Sequence, residues 1–315
     1  MPELSLLTVH AHPDDEASKG PATIAKYHAQ GVRTTLVTCT GGEEGDILNP
    51  AMDTAAAKEH IAELRRAELA EAAQVIGYDE VVWLGYRDSG MPDSPANADQ
   101  RSFSRAGLDE AVGRLVAVIR RVRPQVMVTY PEDQSGYPHP DHLRVHEISI
   151  HAFEAAADPD RYPGAGDPWA PARLYANGWS TQRMRAIHDK FLEFGLESPF
   201  EGERLARLLA TPEEPAAGAV PPTRIDVTGY TEVRRLGLLA HRTQVDPNSP
   251  HWFGLPPDVA DGIYPIDDYQ LLRSRVTPAG DGGTDLFAGL RSSDGEVRSD
   301  RGRSPVAGAG ASARD

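Results

Sequence analysis

The chain has a single cysteine, Cys39. No intrachain disulfide can form and a thiolate-rich zinc site is excluded, so any bound metal must be held by histidine and carboxylate. Positive charge is also scarce. Lys and Arg number 32 against 47 Asp and Glu, a net charge of −15. Such a surface repels phosphate backbones and anionic headgroups, which argues against nucleic acid or a membrane surface as the main partner. No apolar run approaches the roughly 18–20 residues that span a bilayer. The start, Met1-Pro2-Glu3, lacks a cationic segment and is followed by only a short apolar stretch, which argues against a secretory signal. A cytoplasmic enzyme is the expectation. The composition leaves formation of a homo-oligomer open. With 315 residues, 40% apolar and 25% charged, the chain can bury a sizeable core, and global disorder is excluded.

The first half alternates strand-like and helix-like segments. Aliphatic and β-branched runs at Leu6–Val9, Thr34–Cys39, Val81–Leu84 and Val126–Tyr130 predict four strands. Between them lie helical patterns around Ala22–Tyr27, over 53–76 and over 105–122, and a further helix is predicted from Pro140 to Ala156. This rhythm predicts an α/β fold with a Rossmann-like, mostly parallel sheet flanked by helices. The active site then lies at the carboxyl ends of the strands. Residues 157–222 are less regular, with a helix near 180–194. A helix is predicted at 228–241, and Pro247–Pro265 reads as loop. Residues 1–290 are expected to form one domain with an irregular C-terminal part, and 291–315, rich in Gly, Ser, Arg and Asp, a disordered tail.

Two clusters follow predicted strands. His12-Pro13-Asp14-Asp15-Glu16 follows the first. A histidine and a carboxylate three residues apart in a turn can converge on one cation, an N/O mixture that zinc accepts, with Asp14 directed elsewhere. Helix capping explains one aspartate but not the whole cluster. Tyr137-Pro138-His139-Pro140-Asp141-His142 follows the fourth strand. His139 and His142 are three apart, and His142 and His146 share a helical face, so spacing leaves three histidines competing for one ligand position. Asp88 lies on the same sheet edge, after the third strand. Arg65 sits in a charged helix where solvated arginines are the default, and Lys19 opens the first helix. The remaining histidines, His10 and His241 among them, have no partner spacing. Cys39 is expected to be buried rather than reactive.

His12-Pro13-Asp14-Asp15 with His139-Pro140-Asp141-His142 resembles the zinc-dependent N-deacetylase superfamily that includes the LmbE and PIG-L proteins. The likeness continues through Ser18-Lys19-Gly20, Thr40-Gly41-Gly42-Glu43, Gly195–Pro199, His241–Pro247 and Asp285–Leu290, and so covers roughly residues 4–290. These stretches are closer to the branch that opens the amide of mycothiol S-conjugates than to the deacetylase branch. The resemblance implies one Zn2+ per chain, with Fe2+ able to take the same ligands, held by His12, Asp15 and His142. It implies Asp14 as general base, Tyr137 as a movable oxyanion donor and His139 as an acid or electrostatic group that Asp141 tunes or orients. Arg65 and Asp88 fall where the deacetylase contacts its sugar, and Lys19 falls where the amidase differs. The implied partner is a small pseudodisaccharide thiol conjugate. Its amide would be hydrolysed to glucosaminyl-inositol and an N-acetyl-cysteine S-conjugate. The alternatives are N-deacetylation of N-acetylglucosaminyl-inositol and an amidase of a natural-product pathway. A sugar-binding protein without turnover is disfavoured, since binding needs no general base. Segment 89–103 departs from the family pattern.

Overall fold

In the computed structural model, residues 4–134, 137–178, 180–211, 221–276 and 283–291 are described. The strands are β1 (Ser5–His10), β2 (Arg33–Thr40), β3 (Glu80–Tyr86), β4 (Val126–Thr129), β5 (Arg173–Gly178), β6 (Thr223–Asp226) and β7 (Ile266–Ser274). The helices are α1 (Asp15–Ser18), α2 (Pro21–Ala29), α3 (Ala55–Glu59), α4 (Ile61–Ile76), α5 (Leu108–Val122) and α6 (Pro140–Ala155). They continue with α7 (Thr181–Glu193), α8 (Gly202–Ala210), α9 (Glu232–Ala240), α10 (Pro250–Phe253) and α11 (Pro257–Gly262).

β1 is buried along its whole length, as a central strand covered on both faces must be. Leu7 and Val9 face the layer of α5 and α6, where Val112, Leu115, Ile119, Ile148 and Phe153 pack. Leu6 faces the opposite layer, with Ile24 and Tyr27 of α2, Leu238 of α9, and Phe287. Strand order is β3-β2-β1-β4-β5-β7-β6. The first five are parallel, and β7 pairs antiparallel with both β5 and β6. The chain winds outward from β1 in one direction and from β4 in the other, so the switch point lies between these two strands. That crevice is where ligands bind in open α/β sheets.

The predicted four-strand parallel core is present, with boundaries shifted by one or two residues. Three corrections apply. The pattern over 53–76 forms two helices, with His60 at φ −110° and ψ 21° between α3 and α4. Lys19 does not open a helix: it ends α1, its N–H bonded to the Asp15 carbonyl. The C-terminal part contributes three further strands that local patterning does not show. β7 carries Asp267 and Asp268 as buried residues, so its alternation of polar and apolar residues is lost. Of the expected tail, Arg291 is held against Asp285, and 292–315 lie outside the described residues.

Candidate active site

The turn after β1 is tightly held. The His12 N–H donates to Asp15 Oδ2 at 3.0 Å, and the Asp14 N–H donates to Glu16 Oε2 at 2.9 Å. Asp14 adopts φ 112°, a conformation costing a non-glycine residue roughly 1–3 kcal/mol, of a kind found at functional sites. After β4, α6 begins with Pro140 at its first turn, and His139 caps it: Nδ1 accepts from the Asp141 N–H at 3.2 Å. Because Nδ1 accepts, the neutral ring carries its proton on Nε2.

Tertiary folding brings the two motifs together. Single donor atoms of His12, Asp15 and His142 lie within 4.8 Å of one another, and all three residues are buried. His12, Asp88 and His139 form a second such group among the described residues. The two are distinguished by how His12 is held. Its Nε2 faces Asp141 Oδ2 at 3.2 Å and Asp88 Oδ1 at 3.4 Å, while Nδ1 faces Asp15. With Nε2 held by Asp141 and Asp88, Nδ1 is the nitrogen left to face Asp15, as in a metal-binding histidine whose other nitrogen is held by a carboxylate. The donor set therefore fits a divalent cation at His12, Asp15 and His142. His146, the third competitor in sequence, is turned away, with Nδ1 2.8 Å from the Tyr130 carbonyl.

Burial is the largest single influence on each of these groups. It raises the Asp14 carboxyl above 3.8 despite Arg65, and Asp15 adds to the rise. For Asp15 burial also pushes upward, but Lys19, His142 and His12 prevail and hold it well below 3.8. Adjacent carboxyls driven apart in this way suit one to ligation and the other to proton transfer. Burial, with His12 adding to it, lowers His139 to about 4, so it is neutral at pH 7. Burial likewise lowers His142. In His12 the carboxylates of Asp141, Asp15 and Asp88 outweigh burial and hold it well above 6.5.

The remaining site residues find the following surroundings. Arg65 does not lie on a solvated face: it is 3% exposed. It lines the cleft, where Nη2 donates to Asp14 Oδ2 at 2.9 Å and to the Pro13 carbonyl, and Nη1 donates to the Gly42 carbonyl. Gly42 and Gly45 leave room for it, because a Cβ at either would collide with the guanidinium. Lys19, expected on the acyl side of the substrate, ion-pairs with Asp15. The Asp141 carboxylate, expected to orient His139, accepts from the Ser89 N–H and hydroxyl and faces His12. Asp88 accepts from the Glu44 and Gly90 N–H groups. Tyr137 is 55% exposed at the rim, its ring edge-on to His142. Cys39 is fully buried.

Three residues escaped the sequence reading. His241 and Glu16 form a fully buried pair, Nε2 to Oε1 at 2.6 Å, and Glu16 in turn holds the Asp14 backbone. The run His241–Pro247 was a sequence signal without a partner until the fold supplied one. Ser89 sits in the segment that departs from the family pattern, and no spacing relates it to Asp141.

A cleft of about 760 Å3 opens over this cluster, within the ~300–1,000 Å3 range of small-molecule sites. The loops after β2 and β3 line it with Glu44, Asp46 and Asp88, and the end of β5 with α9 and α10 lines it with Asn177, Leu238 and Trp252. A two-imidazole, one-carboxylate cluster at the switch point, beside a carboxyl of raised pKa, suits metal-assisted hydrolysis. The chain belongs to the PIG-L family: residues 7–153 match the family described as GlcNAc-PI de-N-acetylase, and relatives match almost end to end. It is 41% identical over 303 residues to the mycothiol S-conjugate amidase of Streptomyces coelicolor, covering 92% of this chain and 98% of the relative. It is 40% identical over 299 residues to the 1D-myo-inositol 2-acetamido-2-deoxy-alpha-D-glucopyranoside deacetylase of Streptomyces avermitilis, with 92% and 98% covered. The fold resembles N,N'-diacetylchitobiose deacetylase from Pyrococcus horikoshii, with a TM-score of 0.57, 18% identity, and 85% and 83% of the two chains covered. It also resembles the 4-carboxy-2-hydroxymuconate hydratase of Pseudomonas putida, with a TM-score of 0.53, 19% identity, and 87% and 98% covered. A hydratase on the same scaffold means that the fold alone does not specify the reaction. No helix among the described residues is long and apolar enough to cross a membrane.

Proposed function

We propose that this protein is a cytoplasmic hydrolase that cleaves the amide of a mycothiol S-conjugate, releasing glucosaminyl-inositol and an N-acetyl-cysteine S-conjugate. The observation that carries the reading is the pairing of Asp14, with its raised pKa, and the ligand-like cluster of His12, Asp15 and His142 at the floor of one cleft. One zinc per chain is the metal of this proposal, and iron(II) suits the same donors. Held there, the cation supplies Lewis acidity to the amide carbonyl and makes water more acidic.

The protein's own groups carry the remaining steps. Asp14, oriented by Arg65 and by the Glu16 bond to its backbone, accepts the proton of the attacking water. The Tyr137 hydroxyl at the rim and the Nε2–H of neutral His139 donate to the oxyanion that develops; one such donor is typically worth about 10²–10³ in rate. Asp14 then delivers its proton to the amine nitrogen, which cannot leave as an anion. Asp141 and Asp88 act through His12, and Asp88 with Glu44 offers acceptors to sugar hydroxyls.

The two relatives differ by one percentage point of identity, so overall likeness does not choose between conjugate cleavage and deacetylation. The apolar wall formed by Leu238 and Trp252 favours the conjugate, because an acetyl group has no use for it. The test compares kcat/KM for a mycothiol S-conjugate and for N-acetylglucosaminyl-inositol in the same preparation. The proposal expects at least about a tenfold preference for the conjugate, equivalent to about 1.4 kcal/mol. A preference for the acetylated sugar overturns it in favour of the deacetylase.

A further inference from the structure

A second cavity, of about 190 Å3, lies between α7, α9 and α10. Leu238, His251 and Trp252 line both this cavity and the catalytic cleft, so the two spaces share one wall. Beyond that wall the lining includes Ile187, Phe191 and Phe253. Three of its charged groups are drawn into one another: Asp267 pairs with Arg183 at 3.0 Å and lies 3.5 Å from Arg234. Arg235, paired with Glu232, and Asp261 also line it, but the greater part of the surface is apolar, and burying an apolar group against that part is favourable. The volume sets the size of the guest. An engineered apolar cavity of roughly 150 Å3 accepts benzene, so this one accommodates a single aromatic ring or a short branched alkyl group.

The shared wall is also held in place. His251 Nδ1 lies 2.9 Å from the Pro199 carbonyl, and its ring meets Trp252 edge-on at 4.7 Å. Gly254, just after α10, packs so closely on Phe191 that a Cβ there would crowd the ring. These contacts set where α10 stands, and the half-buried Trp252 lines both spaces at their junction.

We propose that this cavity is the S-substituent subsite: the apolar group carried on the sulfur of the thiol conjugate passes Leu238 and Trp252 and is buried against Ile187, Phe191 and Phe253. The proposal rests on the amidase reading above. It deepens that reading by naming the substrate class, conjugates of compact apolar electrophiles, and the residues that select it.

The test uses the full chain and three probes: the S-methyl conjugate, the S-benzyl conjugate and N-acetylglucosaminyl-inositol. Burying the benzyl ring raises kcat/KM over S-methyl by about 10- to 100-fold in the wild type. Ile187→Trp fills the cavity and reduces that ratio to about 3-fold or less. Phe253→Ala enlarges it and shifts preference toward S-naphthylmethyl over S-benzyl by about 5-fold. Each readout is a ratio within one preparation, so a partly folded variant does not distort it, and a failure of one variant to fold leaves the other. A benzyl-to-methyl ratio near 1 in the wild type, or a ratio that neither variant moves, overturns the subsite while the amidase reading stands. Deacetylation of the sugar with no cleavage of either conjugate overturns the amidase reading itself.

Discussion

Asp14 and Asp15 are adjacent and chemically identical, yet their surroundings separate them. Asp15 faces Lys19, His142 and His12, whereas among the described residues Asp14 faces Arg65 at bonding distance. Asp14→Asn is expected to retain its metal and lose about 10²–10⁴ of kcat, since an amide cannot accept the proton of water. Asp15→Asn is expected to lose metal instead. Metal content measured beside kcat decides this, and equal metal with equal activity loss in both would sink the division of labour. The buried pair behind them governs stability. Burial would lower His241, but Glu16 raises it above 6.5; burial would raise Glu16, but His241 lowers it below 4.5. A raised histidine contributes most below its unfolded value and loses that contribution as pH rises through its folded value. A depressed carboxylate contributes above its unfolded value and loses that as pH falls through its folded value. The pair therefore stabilises most between about pH 4.5 and 6.5. His241→Ala is expected to cost about 3–5 kcal/mol there, because Glu16 is left buried and unpaired. Urea midpoints should show the deficit shrinking toward alkaline pH, and a deficit that stays constant to about pH 9 would mean that the pair is not ionic.

At the scale of elements, the site is assembled by two short starts. The turn after β1 presents His12 and Asp15, and the first turn of α6 presents His139 and His142. His139 has two separable duties, capping α6 and facing the cleft. Asparagine is among the best caps and alanine among the poor ones, a difference of about 0.5–2 kcal/mol. His139→Asn is therefore expected to keep near wild-type thermal stability and His139→Ala to fall below it, while both lose activity to a similar extent. If the asparagine variant melts as low as the alanine variant, the imidazole is not acting as a cap. α10 matters in another way. Its His251 and Trp252 line both the cleft and the smaller cavity, so its placement rather than its length decides what enters.

The whole molecule depends on its last described segment. Leu286 and Phe287 are fully buried against the α2 layer, and the Tyr27 hydroxyl bonds both Asp285 and the Leu286 N–H. The Leu286 carbonyl accepts from Arg173, itself 2% exposed in β5. A chain ending at Gly283 loses two core side chains and removes the carbonyl partner of a buried guanidinium. It is expected to be destabilised by at least about 3–5 kcal/mol, read as a lowered Tm. Ending at Arg291 keeps every one of these contacts and should leave Tm within a degree or two of the full chain. Equal melting of the two truncations would show that the segment is dispensable.

Local patterning located β1 to β4 and the helical stretches between them, though it merged α3 and α4, because each is a run whose period is visible in a short window. It also determined that His12 and Asp15 converge, since three residues in one turn set their separation. It was silent on β5 to β7. Those strands pair residues a hundred positions apart, such as Arg173 with Ser274, and β7 hides its face pattern behind buried aspartates that find partners only in the fold. The same limit applies to the site. Spacing left His139, His142 and His146 equivalent, and the packing of α6 against β4 turned His146 to a carbonyl and His142 to the cluster. Arg65 looked solvated from its helix, and His241 looked solitary. Both are inward because sheet order carries α4 and α9 onto the β1 turn, and such a meeting of distant segments leaves no trace in local spacing.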